Sequence, residues 1–387
     1  MLRAMIIWFA LLALVASGTG TSLAQDVEPS PAPSASTAPE ASPQSQETTL
    51  VFDDPKWKRI STSRRPAARE DHTWTVDQEG RYAYLFGGRD DDKSFADLWR
   101  YDLETDVWEK LSPGGKRPSA RFGHSAVWAE GIGVVVFAGQ RGTDFFRDLW
   151  AYDPVQGRWS ELPSRGAAPK PRYGSCMIVA PDGRIQISHG FTSQGRFDDT
   201  RAYDLETKRW TDITPAGRRP GERCLHDCFT SSSGQMVLYG GQDNSSSALG
   251  DLWVSREDGS WKRAADPRAK ARRLYAVTEA GDYAYIFGGA GLDGRALDDL
   301  WRVDRETLKF KRVDVPGSSP SARFAGTLIS DTARGRLLLF GGKNNVAKAD
   351  LWQLTGSSVQ VAPGEAAAAQ SPEPLSSADP VVEAIDT

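Results

Sequence analysis

A glycine pair, reduced to its second glycine in the second and third copies, returns about every 50 residues and limits what this chain can fold into. Its second glycine falls at Gly88, Gly139, Gly190, Gly241, Gly289 and Gly342, spaced 51, 51, 51, 48 and 53 residues apart. A fixed period of that length signals a repeat architecture, in which each unit is one small sheet that must stack on its neighbours to bury its apolar faces. The pair closes a short apolar run, as in Tyr82-Ala83-Tyr84-Leu85-Phe86. Such runs, four to seven residues long and bounded by Gly, Pro, Asp or Ser, read as strands. No long stretch after the first 24 residues has helical periodicity.

Three further landmarks repeat with the glycines. An Asp-Leu-Trp triplet opens the next strand at Asp97, Asp148, Asp251, Asp299 and Asp350, with a degenerate copy at Asp199-Thr200-Arg201. An outer aromatic follows at Trp108, Trp159, Trp210, Trp261 and Phe310. An arginine, usually after a proline, precedes each unit; Pro118-Ser119-Ala120-Arg121-Phe122-Gly123-His124 is the clearest copy.

These residues resemble the kelch repeat family over about residues 55 to 354. The resemblance implies an all-β, six-bladed propeller with four antiparallel strands per blade. It does not choose a function, because kelch propellers include binding scaffolds, a copper radical oxidase, a sialic acid epimerase and iron-assisted specifier proteins.

The sixth repeat ends at Trp352-Gln353-Leu354 without an outer aromatic strand. Trp57-Lys58-Arg59-Ile60 matches Trp108-Glu109-Lys110-Leu111. Residues 55 to 61 are therefore expected to supply the outer strand of the last blade, closing the ring and hiding its sheet edges.

Strands within a blade alternate direction, so the segment leading into each first strand shares a face with the loop joining the second and third. The six lead-in segments carry +15 in formal charge and those loops −6, which makes this face about +9 on a chain of net charge −4. Arg69, Arg121, Arg172, Arg223, Arg272 and Arg323 occupy one equivalent position per blade at its centre. Their planar forks suit carboxylate and phosphate, and kelch substrate adaptors, by the resemblance, hold acidic peptides with arginines here. The binding set expected on this face is those six with His72, His124, Tyr173 and His226. The competing reading pairs each arginine with the aspartate of its own triplet, as a fastener within the blade.

Soft ligands cluster in repeats 3 and 4. Cys224-x-His226-x-Cys228 places three side chains on one face of a strand, and Cys176 and His189 lie nearby in the repeat pattern. They are candidates for copper or zinc, set against the ordinary use of buried Cys and His in a core. Four extended residues span about 13 Å, too far for a bridge within the strand. Cys176 with either Cys224 or Cys228 stays open. No phosphate loop, nucleophile elbow or His-Glu-x-x-His is present, and no copper set of the galactose-oxidase kind can be placed.

The chain begins with a basic Met1-Leu2-Arg3, an apolar core from Ile6 to Ala16 and a small-residue stretch ending in Ala24. This reads as a secretory signal peptide over residues 1–24, with an uncleaved anchor as the alternative. Residues 25–54 and 355–387, rich in Pro, Ser and Ala, are expected to be disordered. The expectation is a secreted or periplasmic monomeric scaffold without cofactor, binding a protein, acidic peptide or anionic polymer on its basic face. Neither nucleic-acid binding nor membrane insertion after signal cleavage is expected. The alternative is a periplasmic enzyme acting on an anionic sugar or polymer. Should the arginines prove structural, the loops at Asp90–Lys93 and Phe145–Phe146 are the next place to look for a site.

Overall fold

The computed structural model describes residues 49–264 and 270–358. The expected signal peptide, most of the expected linker and the tail from residue 359 lie outside the described residues. Six antiparallel sheets follow one another along the chain, so the fold is the expected six-bladed propeller. In blade 1 the strands are Thr73–Val76, Tyr82–Phe86, Leu98–Asp102 and Val107–Leu111, ordered from inside to outside. Blade 3 departs from the plan. Its middle strands lengthen to Ile185–Thr192 and Gly195–Asp204, and Arg165–Gly166 adds a fifth, parallel strand outside Arg209–Asp212.

Ring closure follows the sequence with one adjustment. The last blade takes its outer strand from Phe52–Ile60, antiparallel to Leu351–Ser358, with Trp57 opposite Leu354. The strand begins three residues before the expected boundary because the preceding segment is also anchored. The Leu50 amide donates to the Ala280 carbonyl at 3.3 Å and the Tyr285 hydroxyl to the Leu50 carbonyl at 2.7 Å. Thr49 and Leu50 are buried against blade 5, so the N-terminal segment ties blade 5 to blade 6.

Apolar residues alternate along each second strand toward the two neighbouring blades. Tyr84 and Phe86 pack toward blade 2, against Trp128, Tyr152 and Trp159. Ala83 and Leu85 join Tyr101, Trp108, Leu338 and Phe340 on the blade 6 side. The outer aromatics named above are buried at these seams, which is why every blade needs one.

The glycine pair works at the same seams. At Gly87 (φ +63°) a Cβ would lie 2.7 Å from the Arg121 carbonyl oxygen and 2.8 Å from the His124 ring. The second glycine donates its N–H to the next blade's arginine carbonyl, at 2.8 Å from Gly88 to Arg121 and at 2.9 Å from Gly342 to Arg69. A smaller ring lies nearer the axis. Asp71, Gly123, Gly174, Leu225, Leu274 and Ala325 all have φ between 53° and 63°. Each donates its N–H to the carbonyl of the one before it, and Asp71 donates to Ala325, at 2.7 to 3.0 Å. This closed circle of six hydrogen bonds holds four non-glycine residues in the strained left-handed region.

Candidate functional site

All six expected arginines are buried fasteners. Arg121 is typical: Nη1 and Nη2 meet Asp148 Oδ1 and Oδ2 at 2.7 and 2.9 Å. Its Nη1 also donates to the Ala138 carbonyl at 2.9 Å, and Nε to the Ser119 carbonyl at 3.0 Å. The same fork joins Arg69 to Asp97, Arg172 to Asp199, Arg223 to Asp251, Arg272 to Asp299 and Arg323 to Asp350. In five blades the tryptophan two residues on donates Nε1 to the same carboxylate, which explains the Asp-Leu-Trp triplet. In blade 3 Arg201 takes that role, donating Nε to Asp199 at 3.0 Å. Burial opposes ionisation of these aspartates, but the arginine bonds and charge outweigh it and hold each carboxyl below its ordinary value. The arginine-lined mouth is thus corrected to a ring of internal clamps, closed to an outside anion.

The expected histidines are also turned inward. His72 and His124 pack on the first glycine of the preceding blade; His226 packs edge-on against His189, which holds that position in blade 3 at φ +59°. Burial keeps all four neutral. It lowers His124 and His189 to about 3 and pushes His72 and His226 well below the ordinary imidazole value.

The metal candidates do not assemble. Cys176 and Cys228 form a disulfide between the inner strands of blades 3 and 4, with Cα atoms 5.7 Å apart. His189 Nδ1 bonds Ser188 Oγ at 2.6 Å. Cys224 is a free buried thiol that accepts from Arg196 Nε at 3.2 Å. Among the described residues no three His, Cys, Asp or Glu side chains come together as a metal site.

The central channel holds a cavity of about 250 Å³, lined by Asp71, Asp227, Tyr275 and the Cys176–Cys228 bridge among others. Burial raises Asp71 and Asp227 to about 7; for Asp71 the Arg89 charge opposes that rise. Tyr173 lies over Gly123, where a Cβ would approach its ring to 1.9 Å, and packs edge-on against Phe122 at 5.6 Å. Of the expected binding residues, Tyr173, His72, His124 and His226 line this cavity.

What distinguishes the blades is the side chain after each arginine: Glu70, Phe122, Tyr173, Cys224, Arg273 and Phe324. Of these, Tyr173 was in the expected binding set and Cys224 among the metal candidates; Glu70, Phe122, Arg273 and Phe324 were passed over because the repeat draws the eye to the invariant neighbour. Their backbones bridge to Arg89, Gln140, Phe191, Gln242, Ala290 and Lys343, the residues after the glycine pairs. The two sides of the mouth differ in charge. On the blade 6 and blade 1 side, charges are internally paired: Arg89 with Glu70 and Asp71 at 3.2 and 3.1 Å, and Lys343 with Glu70 and Asp91. The Asp90–Lys93 loop belongs to this closed side.

On the blade 3 to blade 5 side Arg219 pairs with Asp198 at 2.7 Å, whereas Arg196 and Arg273 bond only to neutral acceptors among the described residues. Half-buried Arg196 donates to Cys224 Sγ, to Gln242 Oε1 at 3.0 Å and to Asn244 Oδ1 at 3.4 Å. Arg273 donates to the Ser246 carbonyl at 3.2 Å. Both lower the otherwise burial-raised pKa of Cys224. Beside Arg196 a groove of about 450 Å³ runs between the blade 2 and blade 3 hairpins, lined by Phe145, Phe197, Pro171 and Lys170. Phe145 meets Phe191 edge-on at 5.9 Å, and Arg196 lies over the Phe191 ring.

A propeller of six such units, clamped by Arg and Asp and closed by its N-terminal strand, can be set beside known proteins. The family model described as the KLHDC2/KLHL20/DRC7 kelch-repeats domain matches residues 36–241 and 216–361. The chain belongs to the kelch-repeat family. It is 26% identical to the human and bovine proteins called Kelch domain-containing protein 10 over 309 residues, covering 73% of this chain and 68% of theirs. The Xenopus tropicalis protein of that name is 25% identical over 312 residues, covering 73% of each. The matched kelch region embraces the whole described propeller, so its blades, clamps and loop face are the features to be read for function.

Proposed function

We propose that this kelch propeller is an exported, non-catalytic binding scaffold that takes an acidic segment of another protein on its loop face, at Arg196 and Arg273. The observation that carries the reading is the Arg196 guanidinium, half-buried over an aromatic ring and bonded only to neutral acceptors among the described residues. A partly desolvated cation without a carboxylate is a strong attractor for one. The adjoining groove supplies aromatic surface for the residues that flank the acid. Export is supported by the leader and by the Cys176–Cys228 bridge, which suits an oxidising compartment. The scaffold acts as a monomer, with the mature chain starting at Gln25.

The test uses a labelled glutamate-rich peptide carrying one phenylalanine, with a lysine-rich peptide as control. Binding to the acidic probe should weaken about tenfold or more in Arg196→Ala with Arg273→Ala, and should fall as salt rises, because surface charges are screened over about 8 Å at physiological ionic strength. Melting should be almost unchanged, since neither arginine is bonded to a carboxylate among the described residues. Equal binding of both peptides, or acidic binding that ignores both arginines, refutes the proposal.

A further inference from the structure

The ring closes beside a group of cations. Arg59 lies near the end of the N-terminal outer strand Phe52–Ile60, Arg65 in the segment leading from it into blade 1, and Lys348 in the second-to-third loop of blade 6. With Ala349 and Asp350 they line a cavity of about 290 Å³ on the rim of the loop face. Arg59 and Arg65 are exposed and Lys348 is half-buried. Among the described residues none of these three side chains has a hydrogen-bonding or ionic partner. Asp350 does not answer them, because Arg323 grips it through both oxygens at 2.7 and 2.9 Å and Trp352 Nε1 donates to it at 2.7 Å.

No other blade carries three cations at the equivalent positions. The place of Lys348, two residues before the clamp aspartate, belongs to Phe95, Phe146 and Phe197 in blades 1 to 3, where the ring lies 4.1 to 4.4 Å from the clamp arginine. In blades 4 and 5 it belongs to leucine. The place of Arg59, two residues after the outer tryptophan, is acidic in blades 2 and 3, as Glu161 and Asp212. Blade 6 thus gives up an apolar cover for a lysine at the seam where the two chain ends meet. Like charges gathered in this way repel one another unless an anion lies among them. Guanidinium forks and an ammonium suit phosphate and sulfate oxygens, and a dianion answers three cations better than a single carboxylate does. We infer that Arg59, Arg65 and Lys348 bind a tetrahedral dianion, a phosphate or sulfate group. Its three ligands come from the N-terminal strand, the lead-in to blade 1 and the loop of blade 6, so the bound anion fastens the ring at its closure. This site is separate from the acid-binding surface at Arg196 and Arg273.

The experiment melts the full chain at neutral pH in sodium phosphate, sulfate, acetate and chloride of equal ionic strength. A ligand at about twenty times its Kd raises the midpoint of a domain of this size by about 3 °C. Sulfate and phosphate also stabilise proteins through exclusion from the surface, so the readout is the difference between wild type and variant in the same salt. Lys348→Phe restores the residue of blades 1 to 3, and Arg65→Gln removes an exposed charge. Both should melt within about 1 °C of wild type in chloride and in acetate, because exposed charges contribute little to stability. In phosphate or sulfate both should fall about 3 °C below it, and the salt with the larger gap names the group. Calorimetric titration with that salt should show about tenfold weaker binding in either variant. Arg196→Ala with Arg273→Ala should keep the full effect. The inference is overturned by a gap that is absent in phosphate and sulfate, by an equal gap in acetate, or by an effect that disappears with Arg196 and Arg273. Should Lys348→Phe fail to fold, Arg65→Gln decides alone.

Discussion

The Arg121–Asp148 clamp yields an ordered pair of stabilities. Asp148→Ala leaves a guanidinium with 0% side-chain exposure, whose remaining bonds go to two neutral carbonyls. Removing one partner of a buried pair costs about 3–5 kcal/mol, and this site belongs in that range. Arg121→Ala leaves Asp148, which is 24% exposed and still bonded to Trp150 Nε1 at 2.7 Å. Water reaches the stranded carboxylate, so about 2–3 kcal/mol is expected. A domain of about 300 residues has an unfolding entropy near 0.6 kcal/mol per kelvin. The shifts in melting midpoint are then about 5–8 °C for Asp148→Ala and about 3–5 °C for Arg121→Ala. Exchanging both partners for apolar residues, Arg121→Met with Asp148→Leu, should cost less than the sum of the single changes, because no charge is left alone. Differential scanning calorimetry of the four proteins, with anisotropy of the acidic probe at 20 °C, measures both properties. If Arg121→Ala melts within about 1 °C of wild type and loses the probe, the arginine ring is a ligand site and the clamp reasoning is wrong. A larger loss in Arg121→Ala than in Asp148→Ala refutes the burial argument.

Deleting residues 52–60 removes buried Phe52 and Trp57 and opens the edge of the last blade. A cost of about 4–6 kcal/mol and concentration-dependent aggregation should follow, visible in thermal melts with light scattering, whereas deleting residues 26–48 should leave the melt unchanged. Reduction, or Cys176→Ser, should lower stability by about 2–4 kcal/mol, since the bridge closes a separation of 52 residues; an unchanged melt in reductant means the bond does not form. Between pH 6.5 and 4 the four buried neutral histidines take up protons only on unfolding, so they remove stability as pH falls. Asp71 and Asp227, raised to about 7, and Asp77, also raised by burial, hold protons in the folded state and oppose this with fewer groups. The melting midpoint should therefore fall from pH 6.5 to 4, and His124→Gln should flatten the decline; a midpoint that rises on acidification contradicts the assignment of four neutral histidines.

The period, the strands, the ring closure and the sharing of one face by lead-in segments and second-to-third loops were legible because each leaves a mark every 50 residues. Gly87 has to be small for Arg121 and His124, and Asp97 has to be acidic for Arg69 and Trp99. What sequence could not decide was whether the arginine fork met an internal carboxylate or an external one. Both readings need the same residue at the same spacing, and only the fully buried position of Arg121 separates them. The cysteine pairing was open for a similar reason. Cys224 and Cys228 point to one face of a strand in an extended chain, but the left-handed turn at Leu225 (φ +57°) lies between them. It carries Cys224 to the mouth beside Arg196 and leaves Cys228 in the channel wall opposite Cys176. Arg196 escaped notice because it lies in the lengthened hairpin of the one blade that breaks the Asp-Leu-Trp pattern.

That coincidence bears on how a sixfold fold acquires one binding site. Identical clamps give six equivalent seams, and a partner meeting only those would have six equivalent orientations. Orientation has to come from residues that break the repeat. Blade 3 breaks it three times: Arg201 replaces the triplet tryptophan, His189 replaces a glycine, and the middle strands run past the sheet to raise a hairpin over the mouth. Blade 4 answers with Cys224, Gln242 and Asn244, the neutral partners of Arg196. The opposite side of the mouth pairs its charges internally through Arg89, Glu70 and Lys343. On the proposed reading, an acidic segment is drawn to Arg196 and Arg273, whose direct bonds are all to neutral acceptors, rather than to the Asp90–Asp92 side. On that proposed reading it is the departures from the repeat, rather than the repeat itself, that fix where a ligand lies and which way it runs.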